Sequence, residues 1–425
     1  MAFGLGVLLF ALGIALSIAL HEAGHLIAAR MSGMRVRRYF IGFGPTLFSF
    51  RKGHTEYGLK AIPLGGFCDI AGMTKLDEMT DEERPYAMYD KPAHRRIFVM
   101  LGGIIMNILL ALGILYGVAL AWGLPDRSVV FTPTVESTQC APAKQNADGT
   151  LQKCTGDGPA AESGVKTGDT FLSVNGEETE DFQAFTKAIA TEAERASDDG
   201  KKVGDRITVP AVVDRGGQHK NLDLQIQLVE RVNSAGNTMT SGAVGIRAKR
   251  PQLVMNHYNP ASAVGGTLAF TGGMVNDTFH GLIELPQRVP GVVESIFGGH
   301  RADDSPMSVV GASRVGGELV QYQQWMSFLL TLASLNLFLA AFNLVPLPPL
   351  DGGHIAVVIY EKIRDFFRRL RGKQPGGPAD YTKLMPLTYA ATAVLLVFGI
   401  IVIIADVVNP IRIFSVSYTH LTLPT

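Results

Sequence analysis

The chain has 425 residues, 47% of them hydrophobic, and a mean hydropathy of +0.20. That is too apolar for an ordinary soluble protein and too polar for one lying wholly in a bilayer, so several membrane spans plus a water-exposed domain are expected. Its 38 Lys and Arg balance 38 Asp and Glu. No basic excess points to nucleic acid, and neither a phosphate-binding glycine loop nor a dinucleotide fingerprint stands out in a suitable context.

Residues 1–33 read as a first transmembrane helix, with no charged residue from Phe3 to Leu20, a length sufficient to enter a bilayer. No basic segment precedes the apolar run, and it leads straight into His21-Glu22-Ala23-Gly24-His25, so it reads as an uncleaved anchor. His21 and His25 are four apart and share one helix face. Two imidazoles so placed can bind one Zn²⁺, with Glu22 as a general base that activates water. Ionisable side chains at membrane depth are costly, which marks them as a candidate functional site.

Arg30, Arg35, Arg37 and Arg38 follow, placing this end of the span in the cytoplasm and the N-terminus outside. Residues 34–73 read as short strands and turns. An apolar, glycine-rich hairpin beside a membrane must be buried in protein or line a cavity, so a re-entrant membrane β-element is expected. Cys68, at its end, reads as a small buried side chain. Residues 74–96 form a cytoplasmic segment ending in Lys91, His94, Arg95 and Arg96. A second span covers 97–123, with Gly102 and Gly103 suited to close helix approach and Asn107 one turn on.

Residues 124–230 read as an extracytoplasmic domain. The run Pro159-Ala160 to Gly164, then Gly168-Asp169, leads into a strand and the turn Asn175-Gly176. A helix is expected at Phe182–Ala190, and strands at 206–213 and 221–229 around Asp214-Arg215-Gly216-Gly217. The segment resembles a PDZ domain, a fold that takes a peptide as an added strand. Cys140 and Cys154 are a candidate disulfide in an oxidising compartment. Residues 231–324 read only as extracytoplasmic or membrane-adjacent.

A third span, 325–354, is broken, because Pro346, Pro348 and Pro349 cannot continue a helix. Asp351 stands at the break. Residues 355–383 read as a basic cytoplasmic loop and 384–409 as a fourth span. The tail 410–425 has a composition unlike the rest and reads as appended or misread sequence.

The first and third spans reach the cytoplasm at one level, so His21, His25 and Asp351 can meet. Two imidazoles and one carboxylate with an open fourth position suit a catalytic zinc, one per chain. Positions 28 and 31, where a metzincin places Gly and His, are Ala28 and Met31. Asp351 is the first candidate for the third ligand and Glu56 a weaker one, while His354 reads as a neighbour. The implied chemistry is peptide hydrolysis, with zinc and Glu22 activating water and zinc polarising the scissile carbonyl. Asn107 or Asn343 could donate to the developing oxyanion. A helical substrate must unwind first, and the hairpin and the broken span offer an extended edge for it.

Together these motifs resemble the site-2 proteases, the intramembrane zinc metalloproteases of peptidase family M50, and most resemble the actinobacterial members with one PDZ domain. The matching pieces are His21 to His25, Gly42-Phe-Gly-Pro45, Pro63-Leu-Gly-Gly-Phe67, Gly103 with Asn107, the PDZ turn, Asn343 with Pro346, and Leu350-Asp351-Gly352. The resemblance implies a polytopic α-helical membrane protein with about four transmembrane helices, a re-entrant β-hairpin and an inserted α+β PDZ domain. It implies zinc on His21, His25 and Asp351, Glu22 as catalytic base, and Asn107 and Asn343 in substrate or oxyanion contacts. Single-span substrates of the anti-sigma-factor type, first trimmed by a site-1 protease, are the implied partners in the plasma membrane, with remnant signal peptides as further substrates. Two rivals are a catalytically inactive membrane PDZ adaptor, against which the intact Glu22 argues, and a transporter, against which the lack of a second broken segment argues.

Overall fold

The computed structural model describes residues 1–144, 152–232, 238–249, 254–298, 301, 305–411 and 413. The tail beyond residue 413 therefore lies outside the described residues. The chain forms two compact units. One comprises Met1–Leu124, His257–Pro286 and Met307–Thr425, and the other Pro125–Asn256 and Gln287–Pro306.

The chain opens with helix α1 (Ala2–Met31), strands β1 (Val36–Lys52) and β2 (Thr55–Ile70), and helix α2 (Ala93–Ala121). The middle region holds β3 (Leu124–Pro125), β4 (Val135–Thr138), α3 (Pro159–Glu162), β5 (Thr170–Val174), β6 (Glu177–Glu178) and α4 (Phe182–Asp198). It continues with β7 (Arg206–Arg215), β8 (Gln218–Val232), β9 (Thr238–Ala243), β10 (Ile246–Ala248) and β11 (Met255–Asn256). Five helices complete the order: α5 (Pro260–Ile296), α6 (Val309–Gln321), α7 (Trp325–Asn343), α8 (Asp351–Leu370) and α9 (Met385–Val408).

In the first unit, α1, α2, α7 and α9 are long and apolar enough to cross a membrane. Only 17% of the most apolar window of α9 is buried within the protein, as a lipid-facing helix requires. α1 packs on α2 along one side and on α6 along another. Phe10, fully buried, meets Val315, Leu319 and Phe328 there. The α6 contact was absent from the sequence reading, which left residues 231–324 without elements. Polar pins hold the apolar helices in register. Asn336 of α7 donates to Ser17 Oγ of α1 at 3.0 Å. Asp406, buried in α9, accepts from Ser308 N at 2.7 Å and Gly311 N at 3.2 Å, capping the N-terminus of α6.

The third span breaks where the prolines demand it: α7 stops at Asn343 and a turn leads to Asp351. The expected loop 355–383, however, begins as helix: α8 runs unbroken to Leu370. Its apolar residues recur at helical spacing, a period that its many charges obscured. β1 and β2 pair antiparallel, with Arg38–Ile41 paired to Gly66–Asp69 on one side and to Glu56–Leu59 on the other. The ribbon thus folds back on itself, bending where Gly42 and Gly44 take positive φ.

The second unit is built on the antiparallel sheet β6-β5-β7-β8-β9. Phe171, Val174, Phe185, Ile189, Val213, Leu224 and Ile226 fill its core. Both sequence-read turns are tight: Asn175-Gly176 and Gly216-Gly217 place each of their two residues at positive φ, the twist that two-residue hairpins favour. Asp181 caps α4 by accepting from Ala184 N at 2.6 Å. The helix extends past Ala190 to Asp198 through good helix formers. Cys140 and Cys154 are disulfide-bonded, with Cα atoms 5.9 Å apart.

Asp169, from the Gly168-Asp169 turn, has a fully buried side chain. Burial alone would raise its carboxyl, but Arg215 donates twice at 2.7 Å and Lys166 N once at 2.8 Å, holding it below the usual carboxylate value. A carboxylate lowered on folding stabilises above its unfolded value, about 4, and loses that contribution as pH falls through the lowered folded value. Arg215→Ala leaves a buried carboxylate short of a partner and should cost about 3 kcal/mol. Thermal unfolding of the second unit followed against pH checks this: the gap between wild type and variant should narrow below about pH 4.

Candidate metal centre

His21 and His25 project from one face of α1, and their Nε2 atoms lie 3.2 Å apart. Asp351, the first residue of α8, brings Oδ2 to 3.3 Å from each. The side chains are 12%, 7% and 17% exposed, so three polar groups converge in a nearly closed space. Asp351 Oδ2 is buried and makes no hydrogen bond, an arrangement that costs stability unless something else satisfies it. A tetrahedral zinc with bonds of about 2.05 Å spaces its ligand atoms about 3.3 Å apart. The three atoms form such a triangle, and its open side leaves a fourth position. The residues present fit zinc.

Among the described residues, this is the one group of three or more His, Cys, Asp or Glu poised for a metal. Glu56, beside the hairpin turn, pairs with both Arg51 and Arg38 and is not one of the converging donors. His354 turns its Nδ1 toward Tyr381 OH at 3.4 Å. Of the alternatives for a third ligand, Asp351 is therefore the residue that the fold brings to the two histidines.

The ring orientations are set by α2. His25 Nδ1 lies 2.8 Å from the Val99 carbonyl, to which it must donate, leaving the Nε2 lone pair for the centre. His21 Nδ1 lies 3.1 Å from Asn107 Nδ2, while Asn107 Oδ1 is buried without a partner. Amide oxygen and nitrogen are interchangeable by a flip. With the amide turned over, Oδ1 accepts from His21 Nδ1–H, and both histidines share one tautomer. Asn107 thus stands behind a ligand, a different place from the oxyanion position considered above. Asn343 donates to the Leu339 carbonyl one turn back in its own helix at 3.0 Å, rather than to the cluster.

Glu22 faces the hairpin instead. A Cβ at Gly66 would lie 3.0 Å from Glu22 Cγ. The sequence reading gave Gly66 and the Val99 carbonyl no role at the site. A carbonyl carries no residue signature, so its part was invisible before folding.

Glycine makes the cluster possible. A Cβ at Gly24 would lie 2.1 Å from Gly102 O, and one at Gly103 would lie 2.5 Å from His25 Nε2 and 2.6 Å from His21 Nε2. The α2 backbone therefore lies directly against the imidazoles. On the far side, Arg96 of α2 and Glu361 of α8 form a buried ion pair at 2.6 Å, holding the helix that begins with Asp351 against α2.

A protein-family model described as peptidase family M50 matches residues 9–378. The chain is 44% identical to the zinc metalloprotease Rip1 of Mycolicibacterium smegmatis, over 98% of this chain and 100% of that one. It is 42% identical to the zinc metalloproteases Rip1 of Mycobacterium bovis and Mycobacterium tuberculosis, with the same coverage.

Two substitutions test the geometry. Gly103→Ala places a methyl against both imidazoles, and zinc retained after chelator challenge should fall sharply while the helical circular dichroism persists. Asn107→Leu removes the acceptor behind His21 and should weaken zinc binding about 10–100-fold, with Asn107→Asp restoring it. Metal analysis on purified protein reads both.

Proposed function

We propose that this chain, which belongs to peptidase family M50 and is a zinc metalloprotease, hydrolyses peptide bonds within the transmembrane segments of single-span proteins. The observation that carries the reading is the triangle of His21, His25 and Asp351 donor atoms at 3.2–3.3 Å. Glu22 stands one residue from a ligand, at the end of an apolar span.

His21, His25 and Asp351 hold the zinc, which when bound supplies Lewis-acid activation of water and of the scissile carbonyl. Glu22 takes the proton from the attacking water and passes it to the leaving amine. Val99 O and Asn107 keep the two imidazoles in the ligating tautomer. Asn343 remains a candidate for substrate contact once the turn after α7 moves.

The substrate must be extended to be cut. Gly66–Asp69 is paired to β1 on one side, and Gly66 lies against Glu22. A peptide added there as a strand would bring its carbonyls beside the base. We assign the second unit to an extracytoplasmic PDZ domain that screens substrates by size, consistent with the Asn175-Gly176 turn and the five-stranded sheet. Arg30, Arg35, Arg37, Lys91, Arg95 and the basic run after Glu361 orient the metal centre toward the cytoplasm. Anti-sigma-type proteins already trimmed outside are the proposed substrates, and remnant signal peptides a second class.

The test is cleavage of a single-span anti-sigma-type substrate by purified protein, with zinc quantified in parallel. Wild type should cut it, and Glu22→Gln should keep zinc but lower turnover about 10²–10⁴-fold. Zinc in both with cleavage in neither, even on a pre-trimmed substrate, would favour a membrane adaptor. Absence of both zinc and cleavage would overturn the assignment of His21 and His25.

A further inference from the structure

The helix α8 presents three distinct faces, and only one of them is used by the fold described so far. Val357, Val358 and Glu361 are buried, the last in its pair with Arg96. Ile359, Ile363, Phe366, Phe367 and Leu370 are all exposed, Phe366 at 60% and Leu370 at 68%. At 3.6 residues per turn these five fall within one sector about 100° wide.

Cations border that sector on both sides. Lys362 and Arg369 lie along one margin and Arg364 and Arg371 along the other, by the same helical period. From Lys362 to Lys373 there are six Lys and Arg against one acid, Asp365, in a chain whose overall charge is zero. Part of this charge serves the fold. Arg364 holds Asp365 and the Gly377 carbonyl, and Arg368 holds the Gln374 carbonyl at 2.7 Å. Lys362, Arg369, Arg371 and Lys373 are exposed.

Position in the chain decides what such a face meets. Seven residues separate α8 from the end of α7, a candidate span, at Asn343, and α9, another, starts at Met385. The helix is therefore tethered at both ends to bilayer-crossing segments. A wide apolar stripe bordered by cations, held at that level, matches the anatomy of an interfacial helix on anionic lipid: apolar side chains enter the acyl boundary and the bordering cations meet headgroup phosphates.

We propose that α8 lies on the bilayer surface as an interfacial helix, with Ile359, Ile363, Phe366, Phe367 and Leu370 in the lipid and Lys362, Arg369 and Arg371 on anionic headgroups. This requires that the chain span a membrane and is independent of the peptidase chemistry. The partner is the anionic leaflet itself, acting as a surface rather than as a single bound lipid. Because α8 begins with Asp351 and is fixed to α2 through Glu361, seating the helix on lipid also restrains the third donor of the metal centre.

The experiment places an environment-sensitive fluorophore at Phe367→Cys or, as a control, at Gln374→Cys in the exposed return loop. Both are made in full-length protein carrying Cys68→Ser and reconstituted in phosphatidylcholine vesicles with or without equimolar phosphatidylglycerol. Lipid-borne nitroxide should quench the label at position 367 severalfold more than that at 374, and the difference should grow with phosphatidylglycerol. Lys362→Gln with Arg369→Gln, or high salt on the unchanged sequence, should remove that growth; the salt arm guards against a variant that misfolds. A label at 367 that is quenched by aqueous iodide as readily as the one at 374 would overturn the proposal and leave the stripe to a protein partner. Equal lipid quenching with and without phosphatidylglycerol would overturn the assignment to anionic headgroups.

Discussion

The centre depends on one close approach: the crossing of α1 and α2 at Gly24, Gly102 and Gly103. Apolar helices in lipid gain little from hydrophobic burial against one another, so contact distance and hydrogen bonding decide how they associate. A single methyl at Gly24 or Gly102 would strike the facing backbone. Each glycine costs about 1 kcal/mol of helix propensity relative to alanine, and the crossing offsets that by bringing a carbonyl and an amide of α2 within reach of two imidazoles. The Val99 carbonyl could not reach His25 Nδ1 across a wider gap. It is that contact which leaves Nε2 aimed at Asp351.

Three further buried polar contacts follow the same logic. Ser17 meets Asn336, Arg96 meets Glu361, and Asp406 caps α6. Each pair joins helices distant in sequence, and each would leave a buried polar group exposed to apolar surroundings if the helices slid by a turn. In a core of interchangeable Leu, Ile and Val, these pairs specify the register. The Arg96–Glu361 pair matters most to the site, since it fixes the helix whose first residue is the third donor.

Much of this was legible in the sequence because membranes and metals both impose strict patterns. The four spans follow from apolar length. The break before Asp351 follows from three prolines, and the pairing of His21 with His25 from the helical period. Gly102 and Gly103 read as a place for close approach, although nothing indicated that Gly24 and the imidazoles were what approached. Other features stayed hidden for identifiable reasons. α8 was read as loop because its cations outweighed its apolar period, and α6 was left unplaced because Gly and Ser dilute its pattern. Asp351 was already the first candidate for the third donor, ahead of Glu56; that its Oδ2 lies equally close to both Nε2 atoms needed the fold. Asn107 behind His21 also needed it, because an amide one turn from a glycine pair can face several neighbours.

The helical period also divides labour around α1. His21 and His25 face α2 and α8, whereas Glu22, about 100° around the helix, faces Gly66 of the hairpin. The donor triangle is therefore enclosed by α1, by the glycine surface of α2 and by the start of α8, and the base stands on the side of the hairpin. Under the proposed chemistry the scissile bond has to reach both the open fourth position and Glu22, which leaves the hairpin side as its approach. The absence of a side chain at Gly66 follows from that constraint: any larger residue would press on the base from the side where the peptide has to lie.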